Sequence, residues 1–186
     1  MRNQPSTNGI RKVLWDVLAL NANFYEDARR YPKAVKVAQV IVILAAIAHA
    51  LGSVVIPLLA QVTLPLLLLI FAVNILSVVV GYYFWTFSIW KIGQQLQLPI
   101  HTYRELLIPI GFAYTPQILN FFTVIPLLGR PIEIGLSTWS LLAVIVAIKR
   151  GFNINLGRAI LICLFGWLIV EIAIGVIQVI IQWLIN

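Results

Sequence analysis

Long apolar runs without charges alternate with short polar connections along most of this chain. Lys36 is followed by the first run, residues 37–59, which is long enough to cross a hydrocarbon core of about 30 Å as a helix. The second to fifth runs cover residues 64–90, 105–125, 132–148 and 158–186. The pattern predicts an all-α integral membrane protein with five transmembrane helices.

The polar residues ahead of the first run carry a different pattern. Between residues 10 and 18, apolar positions recur at helical spacing opposite Arg11 and Lys12, with Trp15 at the border. A helix with two such faces is typical of the membrane interface. We therefore predict a short N-terminal amphipathic interfacial helix within a cytoplasmic segment, residues 1–34, followed by a five-span membrane domain, residues 35–186. Docking of residues 10–31 onto a partner protein is the alternative.

The third run and the connection after it are rich in helix-breaking residues. They contain Pro109, Pro116, Pro126, Gly129 and Pro131. Proline inside a helix removes a backbone donor and clashes with the preceding turn. Such a span persists in lipid only where neighbouring groups cover the freed carbonyls. These positions are predicted to form a hinge around which the other helices pack.

Composition agrees with a membrane protein and excludes several other classes. Hydrophobic residues make up 61% of the chain and charged residues 10%, against about 45–50% and 25% in soluble domains. The single cysteine, Cys163, excludes a disulfide framework or a cysteine metal site within the chain. The net charge of +7 does not indicate nucleic-acid binding, because the bases flank apolar runs instead of forming a patch with exposed aromatics.

The basic residues are distributed unevenly between the two sides that the five runs define. One side holds only Arg130. The other side holds Arg2, Arg11, Lys12, Arg29, Arg30, Lys33, Lys36, Lys91, Arg104, Lys149, Arg150 and Arg158. Because cytoplasmic loops are enriched in Lys and Arg, the N-terminus is predicted to be cytoplasmic and the C-terminus to lie on the far side. The predicted cytoplasmic contact surface comprises Arg11, Lys12, Trp15, Arg29, Arg30, Lys91, Arg104, Lys149 and Arg150.

Glu171 lies about halfway along the fifth run, where an ionised carboxylate would cost about 2.5–3.5 kcal/mol. Counting along each run places other polar residues near the same depth: His49, Asn74, Ser77, Tyr114, Thr115, Ser137, Thr138 and Ser140. If these side chains face inward, they form an intramembrane polar network. The network either fixes helix register through hydrogen bonds or lines a path for protons or a small substrate. Because nothing else indicates a gate or an internal repeat, the structural role is favoured.

The sequence carries no catalytic signature. It has no His-Glu-x-x-His, no Gly-x-Ser-x-Gly, no phosphate-binding glycine loop and no Cys/His metal spacing. We therefore expect neither an enzyme nor a cofactor. Small residues four apart favour close helix contacts, and such pairs are Ala46 with Ala50, Ser77 with Gly81, and Ala143 with Ala147. These pairs can serve internal packing or a homo-oligomer.

The order of features from Lys91 onward resembles the Yip domain, the family of Ypt/Rab-interacting integral membrane proteins and their bacterial relatives. A polar loop leads into ELLIPIGFAYTPQIL, then VIPLLGRPIEIG, then a span containing Trp139 that ends in KRGFNINLGRAI. The resemblance covers the chain from about Pro32 to its end. It implies five spans and a cytoplasmic N-terminus. For bacterial members it implies a membrane scaffold or a permease-like role without an assigned reaction.

These observations lead to two expectations for function. The first is a non-catalytic membrane scaffold, adaptor or accessory subunit, with the lipid bilayer and a membrane-protein complex as its partners. The alternative is a small permease or proton-coupled transporter that uses Glu171 and His49 at the bilayer midplane. A bacterial inner membrane or an internal membrane is the expected location.

Overall fold

The computed structural model describes residues 15–19, 21, 34–98, 102–125 and 127–185, with side chains as far as Val170 and at Ile172. No strand occurs among these residues. The chain forms α1 (Ala34–Ser53), α2 (Val55–Leu59), α3 (Leu64–Gln95), α4 (Tyr103–Ala113), a 3-10 helix (Thr115–Val124), α5 (Gly129–Gly151) and α6 (Leu156–Ile185).

Within the described ranges, three helical segments are long and apolar enough to cross a membrane: α1 with α2, α3, and α5. A fourth candidate is the pair of α4 and the 3-10 helix, which are bent by 42° at their junction. The part of α6 with described side chains, Leu156–Val170, is a shorter apolar helix. Several long apolar helices are thus compatible with a multi-pass membrane protein, and the all-helical class predicted from the sequence is confirmed.

Helix boundaries differ from the apolar runs because helices continue into polar residues. α3 ends at Gln95, beyond the predicted end at Trp90. α5 begins at Gly129, so Gly129 and Pro131 lie in its first turn instead of in the connection before it. Proline is tolerated there because the first backbone donors of a helix have no partner within the helix. Pro126 lies outside the described residues.

Left-handed residues end α3 and α5. Gln97 has a φ of 52° and Asn153 a φ of 49°. The next backbone N–H then donates to a carbonyl five residues back, from Leu98 to Gly93 at 3.0 Å and from Ile154 to Lys149 at 3.1 Å. This arrangement covers the last helical carbonyls and turns Leu98 and Ile154 into the core, where both are buried.

One end of the bundle is defined by the starts of α1, α4 and α6 and the ends of α3 and α5; we call it the basic end. The larger apolar cluster joins α3, α4, α5 and α6 and includes Tyr82, Leu106, Ile148 and Ile162. A second cluster joins α1, α4 and α5. Small residues allow this packing, and Ala46, Ala50, Ala143 and Ala147 are fully buried. By contrast, Ser77 is exposed and Gly81 has no neighbouring side chain.

The short helical segment at residues 15–18 packs on this bundle. Val17 is fully buried among Ala34 and Ala38 of α1, Phe112 of α4 and Ala147 of α5. Trp15 does not pack into the bundle and is 72% exposed. The remainder of the predicted interfacial helix lies outside the described residues.

Candidate functional site

The most irregular part of the bundle is the junction of α4 and the 3-10 helix, at Tyr114. Pro116 has no N–H to donate to the preceding turn. The Thr115 hydroxyl instead donates to the Phe112 carbonyl at 2.7 Å, and Thr115 is buried. The side chain next to the proline therefore covers a carbonyl at the break, which is how a broken helix is stabilised in lipid. The helix is continuous across Pro109, so the bend belongs to Pro116 alone of these two prolines.

α4 is also held by a hydrogen bond from another helix. The hydroxyl of Tyr82 on α3 donates to the Leu107 carbonyl at 2.7 Å. Beside this bond, α4 approaches α1 at Gly111, where a Cβ would lie 2.8 Å from the Cβ of Ala38 and 3.2 Å from the Tyr82 hydroxyl oxygen. Gly111, Ala38 and Tyr82 thus form one tight crossing of three helices. The sequence signal for it was a lone glycine beside the prolines.

The 3-10 helix carries a buried amide that sequence reasoning missed. Asn120 is 1% exposed, and its Nδ2 donates to the Gln117 Oε1. Its Oδ1 has no hydrogen-bond partner among the described residues. The Thr123 hydroxyl donates to the Asn120 carbonyl at 2.7 Å. The only sequence signal was an amide within an apolar run.

Glycines allow the 3-10 helix to lie close to both of its neighbours. On the α1 side, a Cβ at Gly52 would lie 3.0 Å from the Asn120 carbonyl oxygen and would overlap the Thr123 hydroxyl. On the α5 side, a Cβ at Gly129 would lie 2.5 Å from the Thr123 carbonyl oxygen. The broken segment is therefore enclosed between α1 and α5.

The predicted polar network has a different arrangement in the described part of the chain. Asn74 donates to the Ile70 carbonyl, Thr115 to Phe112, and Thr138 to Ile134, each to a carbonyl three or four residues earlier in the chain. Ser77 and Thr138 are exposed, and His49 is half-buried. Tyr114 packs against Tyr82 and Trp85 at 5.7 and 6.4 Å between ring centroids. The Glu171 side chain lies outside the described residues.

Ser140, the other member of that set with a buried side chain, lies on the inward face of α5. It is 4% exposed, and its Oγ has no hydrogen-bond partner among the described residues. Within the part of the chain that the structure describes, Asn120 and Ser140 are thus the two buried side chains, outside the aromatic cluster, with a polar atom that has no hydrogen-bond partner. They lie on the 3-10 helix and on α5, which pack together.

Aromatic side chains gather at the basic end. The rings of Trp90 and Tyr103 are 6.1 Å apart, and the Tyr103 hydroxyl donates to the Tyr83 carbonyl at 3.1 Å. The Lys91 ammonium lies 5.0 Å from the Trp90 ring. Trp85 donates its Nε1–H to the Cys163 carbonyl of α6 at 3.4 Å. The aromatic run at the end of α3 therefore ties α3 to both α4 and α6.

Several residues of the predicted contact surface lie at this end. Lys91, Arg104 and Arg150 are exposed, Lys149 is half-buried, and Trp15 is largely exposed. Arg11, Lys12, Arg29 and Arg30 lie outside the described residues. At the opposite end, Arg130 forms an ion pair with Glu133 at 3.1 Å.

Among the described residues, no group of three or more His, Cys, Asp or Glu side chains is arranged to hold a metal ion. No protein-family model matches the chain, and neither a curated protein nor a solved structure is detectably similar to it. The resemblance to the Yip domain rests on the sequence motifs alone and stays a prediction.

Proposed function

We propose that this chain is a five-span, Yip-like membrane scaffold, adaptor or accessory subunit without catalytic activity. Its N-terminus and basic end face the cytoplasm, and its C-terminus lies on the far side of a bacterial inner or internal membrane. In this proposal α6 supplies the fifth crossing, and the basic end presents the surface that contacts a partner membrane protein.

One observation carries this proposal, namely the placement of residues 15–19. Val17 is fully buried between α1, α4 and α5, which fixes the segment to the bundle. Trp15, two residues earlier, remains 72% exposed. Large aromatic side chains dominate the binding energy of protein interfaces. A tryptophan held outward by a buried neighbour is therefore suited to anchor a partner.

The test is a pull-down of the tagged full-length protein in mild detergent, with the native mass measured and the co-purifying proteins identified. We expect a defined complex for the wild type and its dispersal by Trp15→Ala or by deletion of residues 10–31. Trp139→Ala is the matched control, because Trp139 is a partly exposed tryptophan on the apolar surface of α5. A wild-type protein that purifies alone would contradict the scaffold proposal.

The second candidate is a small permease that uses Glu171 and His49. The broken span favours it, because discontinuous helices beside buried polar groups form substrate and ion sites in transporters. Here the break at Tyr114 is followed by Asn120, which is 1% exposed and whose Oδ1 has no hydrogen-bond partner in the described part of the chain.

Solute flux into liposomes containing the purified chain tests the permease. Glu171→Gln is expected to abolish coupled transport, whereas Glu133→Gln, which changes the acid paired with Arg130 at the opposite end, is expected to preserve it. Flux that is unaffected by Glu171→Gln would contradict this mechanism.

A further inference from the structure

Five basic side chains lie near the helix ends that also supply an apolar cap at the basic end. The cap consists of Leu98, Phe152 and Ile154, which are buried in the same cluster as Leu106 and Ile148. We call five bases near the same helix ends the basic rim: Lys91, Arg104, Lys149, Arg150 and Arg158. Four of them are exposed and Lys149 is half-buried. The rim therefore concentrates positive charge on helix ends that are firmly packed together.

The aromatic side chains beside the basic rim indicate its depth in the membrane. Trp90 and Tyr103 pack edge to face, and both border the cap. Tryptophan and tyrosine rings lie at the level of the lipid headgroups in membrane proteins. Lys91 lies within 5.0 Å of the Trp90 ring, and Arg104 follows Tyr103 directly. These bases therefore lie at the level of the lipid phosphates, below the surface that a soluble partner would contact.

Two of the bases occupy positions where the helix itself disfavours a cation. Arg104 lies in the first turn of α4 and Arg158 in the first turn of α6. The first turn is the positive end of a helix and repels a basic side chain. Lys149 and Arg150, by contrast, lie in the last turn of α5, where a cation is favoured. The first turn of α4 also holds the acidic residue Glu105, whereas the first turn of α6 holds no acidic residue. An anion from outside the chain beside Arg158 would relieve both the dipole repulsion and the repulsion between the bases.

We propose that the basic rim binds the phosphate groups of anionic phospholipids, so that these lipids surround the basic end in preference to zwitterionic ones. Guanidinium groups match phosphate oxygens with paired hydrogen bonds. Charge complementarity selects an anion, and the depth of the rim selects a lipid over an acidic protein. This inference goes beyond the proposed function because it requires no protein partner.

The test measures tryptophan fluorescence of the purified full-length chain in phosphatidylcholine bilayers. Increasing fractions of dibrominated phosphatidylglycerol or dibrominated phosphatidylcholine quench the tryptophans, and the two curves give the relative binding constant of the anionic lipid. Each base near an anionic surface is worth about a fivefold change in association. We expect a preference of about fivefold or more for phosphatidylglycerol, and its loss in about 0.5 M salt, where the screening length is short.

Variants then assign the preference to the rim. The double variant Arg150→Gln with Arg158→Gln is expected to lose most of it, and Lys91→Arg, which keeps the charge, is expected to retain it. Arg130→Gln is the matched control because Arg130 lies at the opposite end. Circular dichroism and gel filtration verify folding. If the double variant does not fold, the salt dependence of the wild type and the lipid preference of the single variant Arg158→Gln test the proposal instead.

Three outcomes would overturn the proposal. They are equal quenching by both lipids for the wild type, an anionic preference that the folded double variant retains, and a preference that persists in high salt. Binding of soluble polyglutamate without any lipid preference would assign the rim to an acidic protein instead. Because the purified chain carries no partner, each of these outcomes leaves the scaffold proposal to its own pull-down test.

Discussion

At Gly111, α4 approaches α1 so closely that no side chain fits between them. A Cβ there would lie 2.8 Å from the Ala38 Cβ and 3.2 Å from the Tyr82 hydroxyl oxygen, which also bonds to the Leu107 carbonyl. Gly111→Ala must push α1 and α4 apart or displace the Tyr82 hydroxyl. We expect it to lower the free energy of unfolding by about 1–3 kcal/mol.

Reversible unfolding in detergent with increasing SDS measures this loss. Gly81→Ala is the matched control, because Gly81 lies in α3 with no atom within 4 Å of an added Cβ. Alanine is the better helix former, so this variant is expected to be stabilised by about 0.5–1 kcal/mol or to remain unchanged. Equal destabilisation by both substitutions would show that Gly111 is not a point of close helix contact.

The hydrogen-bond partners of the polar side chains could not be predicted from the sequence. Counting along apolar runs placed Asn74, Thr115 and Thr138 near one level. Each nevertheless donates to a carbonyl three or four residues back. A hydroxyl or amide in an apolar environment satisfies itself this way without a second helix. The sequence cannot distinguish such local bonds from bonds between helices, because both require the same residue at the same depth.

At the scale of elements, the break before Pro116 is reinforced by the Thr115 hydroxyl, which donates to a carbonyl that also accepts a backbone N–H at the helix end. Thr115→Val keeps the shape of the side chain and removes the hydrogen bond to Phe112. Because Thr115 is buried, water cannot replace that bond. We expect a loss of about 0.6–2 kcal/mol in the free energy of unfolding, the range for hydrogen bonds inside membranes.

Thr138→Val is the matched control for this prediction. Thr138 makes the same kind of bond, to the Ile134 carbonyl at 2.8 Å, on an exposed face of a regular helix. The Ile134 carbonyl also accepts a backbone N–H within the regular helix. We expect a change within about 0.5 kcal/mol. A Thr115→Val protein as stable as Thr138→Val would show that the hydroxyl does not hold the break.

Among the elements, the apolar runs predicted the existence of the helices better than their limits. Proline and glycine content indicated an irregular third run, and the bend lies there, but glycine at 129 and proline at 131 begin a helix. α3 and α5 end with Gln97 and Asn153 in the left-handed conformation, where glycine is the usual signal. Asn153 is a weaker signal of this kind than glycine and Gln97 is none, so the end of α3 in particular could not be predicted from the sequence.

At the scale of the whole molecule, the two ends of the bundle differ in charge and in packing. The basic end holds a buried cap, an aromatic cluster and the docked Val17. Towards the opposite end, α3 has no buried residue between Leu64 and Gly81, all of which are described. The basic end is also the end that the charge distribution assigns to the cytoplasm. The contact surface and the basic rim therefore rest on the end of the bundle at which α3 packs against α4, α5 and α6.

This assignment predicts which positions are accessible from each side of the membrane. In a Cys163→Ala background, Leu127→Cys and Asn153→Cys place single thiols at opposite ends of α5, at two exposed positions. α5 has 23 residues and is therefore about 35 Å long, enough to separate them across a bilayer. A membrane-impermeant maleimide is expected to label residue 127 in intact cells and residue 153 only after the membrane is opened.

The side of the membrane on which the C-terminus lies distinguishes a topology of five crossings from one of four. α6 contains 30 residues, about 45 Å of helix, and begins at the basic end. A thiol added after Asn186 in the same background should label together with residue 127 if α6 crosses the membrane. Labelling together with residue 153 would mean that α6 returns to the side on which it began, and the five-span topology would be wrong. The Cys163→Ala chain without an added cysteine is expected to remain unlabelled and is the negative control for both experiments.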